Sequence, residues 1–162
     1  MKKGVVAFAF GSPNTILSNR RIAQIATKKA WELSCTIYTQ ADVRIDDPVF
    51  VEHIDEDPGM PPPTLGIARG AVKWAKRHGI AQLWIVVAKP HLWRVERDLL
   101  KVISEAGTKI DLRVCEEIYQ YEEDSWFCPD STQERVRSSE LWNKRERILK
   151  LMPFFIYKRM AN

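Results

Sequence analysis

Leu83-Trp84-Ile85-Val86-Val87-Ala88 is a continuous apolar run, set between Gly79 upstream and Pro90 downstream. Its length suits a strand better than a helix, and its lack of alternation predicts a strand buried on both faces, as in parallel sheets flanked by helices. Helical patterns lie on either side. Upstream, Thr64 follows three prolines and reads as an N-cap. Ile67, Ala71, Trp74 and Ala75 then form a stripe, which ends in Lys76-Arg77-His78-Gly79, bases against the negative end of the helix dipole and a glycine suited to a left-handed turn. Downstream, Lys89-Pro90-His91 turns the chain, and Leu92, Val95, Leu99, Val102 and Ile103 stripe a second helix that stops at Gly107.

The same alternation extends outward. Gly4 to Phe10 reads as a first buried strand ending in the turn Gly11-Ser12-Pro13-Asn14, and Ser18 or Asn19 is the expected cap of a helix carrying Ile22, Ile25, Ala26, Ala30 and Leu33. Cys35 to Thr39 predicts a second strand, Val49-Phe50-Val51 a strandlet within an acidic excursion, and Ile110 to Ile118 a last strand. Ser131 to Leu151 reads as one long polar helix, broken by Pro153. The expectation is a single three-layer Rossmann-like α/β domain over residues 1–162, with a mostly parallel sheet of four to five strands. Residues 131–162 form a C-terminal helical extension packed on it.

Composition narrows the class. The 162 residues are 45% hydrophobic and 28% charged, ordinary globular usage. No apolar stretch approaches the roughly 20 residues of a membrane span, and the short run after Lys2-Lys3 is not a secretory leader. Cys35, Cys115 and Cys128 are odd in number and widely spaced, forming neither a disulfide framework nor a zinc motif. A cytoplasmic location is expected. The net charge of +4 is segregated: seven acids lie between Asp42 and Asp57, and eight bases against three acids from Glu134 onward. Such a field suits an anionic partner. The bases interleave with Trp142 to Tyr157, a pattern compatible with nucleic acid or an anionic membrane surface, or with aromatics packed on the sheet. Oligomeric state is not readable.

In open α/β sheets ligands collect beyond the carboxyl ends of the strands, near helix N-termini. This selects Gly11 to Asn14, Gln40 to Arg44, Lys89 to Arg94 and Glu116 to Asp124. His91 and Arg94 stand three residues apart at a helix start and can project from one face toward a phosphate or carboxylate. The competing reading has His91 capping the helix and Arg94 paired with Asp98. Ser12 and Asn14 are placed on the opposite wall. Arg20 falls in the first turn of a helix, where a cation hints at an anion nearby or at solvent exposure. His91 is the catalytic candidate, because its unperturbed pKa lies nearest neutrality. His53, Asp55 and Asp57 alternate along an extended stretch, but no glycine-centred calcium loop is present and no metal is expected.

The order of motifs resembles the YdcF/SanA/ElyC-type proteins, a bacterial family of uncertain activity, over roughly Gly4 to Lys158. The likeness rests on the apolar first strand and turn, Arg20-x-x-Ala23, the Thr64-led helix after an acidic stretch, an apolar strand running into His91-x-x-Arg94, and the closing Trp142-x-x-Arg145-Glu146. The resemblance implies a Rossmann-like fold and a pocket for a nucleotide-like or phosphorylated ligand, and admits S-adenosylmethionine as that ligand. The expected function is therefore binding of an anionic, nucleotide-like small molecule by Ser12, Asn14, Arg20, Thr64 and Arg94, with hydrolase or transferase chemistry at His91. The alternative is a non-enzymatic adaptor or nucleic-acid-binding protein using the basic C-terminal helix.

Overall fold

The computed structural model describes residues 1–46, 50–57 and 61–161. Five parallel strands, β1 (Lys3–Ala7), β2 (Thr36–Thr39), β3 (Val51–His53), β4 (Gln82–Val86) and β5 (Asp111–Val114), form one sheet in the order β3-β2-β1-β4-β5. The helices are α1 (Leu17–Leu33), α2 (Thr64–His78), α3 (Leu92–Glu105), α4 (Ser139–Leu151) and α5 (Phe154–Met160). This is the α/β architecture expected, with every strand pair parallel. Among the described residues no helix is long and apolar enough to cross a membrane.

The pleat divides the core in two. Val6 and Phe8 of the first apolar run, with Leu83, Ile85 and Val87, face α2 and α3. Val5, Ala7, Val86 and Ala88 face α1 and the segment holding Ile118 and Trp126. Each face of β4 thus meets a helical layer, which is why Leu83 to Ala88 shows no polar alternation. Complete burial of Leu83 or Ile85, both at 0% exposure, contributes roughly 1.5–3 kcal/mol per side chain.

The chain runs outward from β1 through β2 to β3, then α2 carries it back across to β4, on the other side of β1. The connections after β1 and β4 therefore leave in opposite directions and open a crevice at their carboxyl ends. Several expected boundaries move there. β1 pairs on both sides only as far as Ala7; beyond it, Phe8 N still donates to Val86 O at 2.9 Å. Side chains then replace the ladder: Ala9 N donates to Gln40 Oε1 and Phe10 N to Asn19 Oδ1, each at 2.9 Å. Ser18 and Asn19 are consequently not helix caps. Ile16 holds the N-cap position without a side-chain bond, while the buried Ser18 hydroxyl donates to Phe10 O and Asn19 Nδ2 to Gly11 O and Pro13 O. Gly11 adopts φ +93°, and a Cβ there would lie 2.7 Å from Ser131 Oγ, so both conformation and space demand glycine.

Other differences have local causes. Pro63, not Thr64, is the N-cap of α2, and Thr64 is the first helical residue. The long helix expected over Ser131 to Leu151 starts only at Ser139. Ser131 turns the chain by bonding Ser12 N and Gln133 N, a short 3-10 turn follows at Glu134–Val136, and Ser138 Oγ caps α4 by accepting from Leu141 N. Past Pro153 the aromatic tail is itself helical, as α5. Ile110 to Ile118 yields a strand only over Asp111–Val114 before a 3-10 turn. The acidic strandlet is present as β3, with Val49 of the expected Val49-Phe50-Val51 outside the described residues.

Gly4 lies under the Trp74 indole: an added Cβ would meet Trp74 Cη2 at 2.8 Å and Ile80 Cδ1 at 2.9 Å. Both neighbours are buried and packed, so Gly4→Ala is expected to destabilise the protein by about 1–3 kcal/mol, seen as a lower urea midpoint with an unchanged slope.

Candidate functional site

The crevice between the β1 and β4 exits is a cleft of about 350 Å³. Its floor comes from Ala9 to Gly11, one side from Gln40, Asp42 and the start of α2, another from His91 and Arg94, and the remaining wall from the C-terminal segment through Arg135, Trp142 and Arg145. His91 sits at the end of a 3-10 turn, Lys89–His91, whose Pro90 fixes the approach to α3. Its ring is held edge-on by Trp142, with centroids 5.3 Å apart, and Phe10 packs edge-on against the same Trp142 at 4.8 Å. The indole N–H of Trp142 donates to Pro90 O at 3.2 Å, anchoring α4 to the turn that carries His91.

His91 and Arg94 converge on the cleft, but neither stands open to water: they are 6% and 5% exposed. Of the two local alternatives for this pair, capping holds in position only, since His91 is the N-cap residue of α3, and Arg94 pairs with Glu146 rather than Asp98. His91 makes no side-chain cap on α3, and its Nε2 lies 3.0 Å from Thr64 Oγ1. Asp98 instead accepts from Arg97 at 2.8 Å and from the Tyr157 hydroxyl at 2.5 Å, which binds α5 to α3. Arg94 Nη2 approaches Glu146 Oε1 at 3.1 Å, in an ion pair too oblique to satisfy that oxygen as a hydrogen bond.

The electrostatics are those of an underneutralised cation site. Arg94, Arg135 and Arg145 line the cleft with Asp42, and Glu146 stands behind Arg94; burial pushes the Asp42 carboxyl up, with Ser12 acting against that shift. Arg94 Nε, Arg145 Nη1 and His91 Nδ1 are buried atoms without a hydrogen-bond partner among the described residues. Burial pushes the Arg94 guanidinium down despite Glu146, and burial pushes the Glu146 carboxyl up despite Arg94 and Arg145. Desolvation therefore outweighs the attraction within the pair, as expected when geometry is imperfect. Burial, followed by repulsion from Arg94, Arg135 and Arg145, holds the His91 imidazole well below its ordinary value. It is neutral at physiological pH.

Of the residues selected from sequence, Thr64, His91 and Arg94 meet in the cleft. Ser12 is at its edge through Asp42. Asn14 is half-buried in the turn and does not line the cleft, and Arg20 is exposed in a shallow groove with Arg44 and Asp46. Gln40 and Asp42, from the Gln40 to Arg44 stretch selected by topology, do line the cleft; the residues that sequence reasoning did not assign to it are Arg135, Trp142 and Arg145, with Glu146 paired to Arg94. A usable signal existed for Trp142, Arg145 and Glu146: positions 142, 145, 146 and 149 share one helical face, the face α4 turns inward. Cys115 is fully buried and its thiol is pushed up to about 12, chiefly by burial, so it is inert core. No family model and no curated protein matches the chain.

The buried imidazole sets a pH dependence with a definite sign. Its folded pKa lies below the unfolded value of roughly 6.5, so the unfolded chain binds more protons between the two and stability falls as pH drops through that window. Glu146 and Asp98, raised by burial, act oppositely: their contribution is full at low pH and is lost as pH rises through their folded values. His91→Gln removes the first effect alone. On going from about pH 7 to about pH 5.5 the variant should lose less stability than the parent, the difference in slope reaching at most about 1.4 kcal/mol per pH unit. Urea unfolding at both pH values measures it.

Proposed function

We propose that the cleft binds a phosphate-bearing, nucleotide-like small molecule at the carboxyl edge of the sheet. The observation that carries this reading is the convergence of Arg94, Arg135 and Arg145 on one cleft with two guanidinium nitrogens buried and unpartnered. Buried donors without acceptors cost free energy, and an oxyanion with several lone pairs relieves that cost. The start of α2 adds to the attraction. Pro63 gives no side-chain cap to this 15-residue helix, whose positive dipole end at Thr64 borders the cleft. His91, being neutral, contributes a hydrogen-bonding group rather than charge.

The charge also favours one ligand class over another. S-adenosylmethionine carries a sulfonium and an ammonium against one carboxylate, a net cation that three guanidiniums repel. A phosphomonoester or diphosphate is the complementary partner. Kinship with the YdcF/SanA/ElyC-type proteins is proposed on the same residues, Thr64, His91, Arg94 and the Trp142-x-x-Arg145-Glu146 face, as is hydrolase or transferase chemistry. A cytoplasmic location accords with such a ligand.

The adaptor or nucleic-acid reading retains Lys144, Arg147 and Lys150, which are exposed on the outer face of α4. It loses Arg135 and Arg145 to the cleft, and Lys158 to an ion pair with Glu105 at 2.9 Å. Leu141, Ile148 and Leu151 break up what remains of the basic face.

Isothermal titration with pyrophosphate and ADP should show saturable binding that weakens with added salt. Arg145→Gln should reduce affinity by about tenfold to a hundredfold, the value of a charge-assisted hydrogen bond. Binding indifferent to that substitution, or tighter binding of S-adenosylmethionine than of pyrophosphate, overturns the reading. A duplex oligonucleotide whose affinity falls on Arg147→Glu but not on Arg145→Gln would support the alternative.

A further inference from the structure

We propose that Thr64 and His91 form a nucleophile–base pair, through which the cleft transfers a phosphoryl group from a small phosphomonoester to the Thr64 hydroxyl. This rests on the anion-binding reading above and adds to it a reaction and the atom that performs it.

Three features of the pair support the assignment. Thr64 Oγ1 and His91 Nε2 are 3.0 Å apart, within the reach needed for direct proton transfer. Both residues are more than nine-tenths buried yet border the cleft, so the hydroxyl meets a ligand there in a poorly hydrated setting. Both are also held rigidly: Thr64 is β-branched and opens α2 directly after Pro61-Pro62-Pro63, and His91 is fixed by the Pro90 turn and the edge of Trp142.

The surroundings match phosphoryl rather than acyl transfer. Acyl transfer develops one negative charge, which two N–H donors stabilise. Here three guanidiniums line the cleft with Asp42 as the carboxylate among the lining residues, and Glu146 pairs with Arg94 behind it, leaving cationic donors in excess, as an anionic phosphoryl group requires. Burial, together with the same cations, keeps His91 unprotonated in the free protein. A bound dianion offsets their repulsion, so the imidazole gains basicity when the substrate is in place.

With Nδ1 carrying the ring proton, the Nε2 lone pair faces the Thr64 hydroxyl. Oγ1 attacks phosphorus as its proton passes to Nε2. The bond from phosphorus to the ester oxygen breaks, its electron pair leaving on that oxygen, which takes the proton from Nε2 and departs as the alcohol. Phosphothreonine remains. Water then attacks the same phosphorus, gives a proton to Nε2, and displaces Oγ1, which is reprotonated by the imidazolium. The net reaction is phosphomonoester plus water to alcohol plus inorganic phosphate.

The test uses the full chain with p-nitrophenyl phosphate, following p-nitrophenol release and, after acid quench, the intact mass and its peptide map. The expected result is p-nitrophenol release together with a phosphoryl adduct on Thr64. Thr64→Ser should keep both, Thr64→Val should lose both, and His91→Gln should slow labelling by about a hundredfold or more. Circular dichroism and thermal melting establish that the variants fold. Turnover by Thr64→Val at the parental rate overturns the assignment. So does absence of turnover and adduct in a parent protein that binds pyrophosphate by calorimetry, since the pair is then structural. Failure of the parent to bind pyrophosphate at all is the separate failure of the anion reading.

Discussion

A guanidinium removed from water must find negative charge, and Arg94 meets that requirement with Glu146, which the chain supplies from α4. Most of the site follows from this one demand. The side of α4 that presents Glu146 also presents Trp142 and Arg145, and Trp142 in turn ties itself to Pro90 and walls off His91. The pair leaves Glu146 Oε1 and Arg94 Nε unsatisfied, so it binds the elements together without fully discharging the cleft. A better-aligned pair would have stabilised the fold more and left less potential for a ligand.

A second constraint is the divergence of the chain at the β1 and β4 exits. Where the strand ladder ends, the backbone donors of Ala9 and Phe10 still require acceptors, and Gln40 and Asn19 provide them from the neighbouring strand end and helix. The floor of the cleft is therefore rigid although it has no regular secondary structure. Gly11 completes it, because Ser131 and Val136 press against the position a side chain would occupy. The loop after β1 is thus braced from both ends of the chain.

The architecture was legible because parallel strands covered on both faces appear as apolar runs, and Leu83 to Ala88 and Gly4 to Ala7 are such runs. The α2 and α3 stripes were equally clear, since one face of each packs on the sheet while the other meets water. The start of α1 was misread for a physical reason. Ser18 and Asn19 carry the chemistry of caps, but their hydrogen bonds go to the loop after β1 rather than to their own helix. Thr64 was likewise misplaced by one position, because its hydroxyl serves His91. At the site, His91 and Arg94 could be paired from local spacing alone. Arg135, Arg145 and Glu146 could not, because their meeting with Arg94 depends on long-range packing of α4, and the 3-10 turn before it interrupts the period.

The wall formed by Trp142 and Arg145, with Glu146 behind it, has a consequence for how the cleft comes into being. The five strands and α1 to α3 all precede these three residues in the chain, so in any state with α4 undocked Arg94 and His91 lose the cover of Trp142 and the charge of Glu146. Docking α4 is what takes both side chains out of water. The cleft therefore takes its shape only when α4 is seated, although the sheet that floors it is built from residues earlier in the chain.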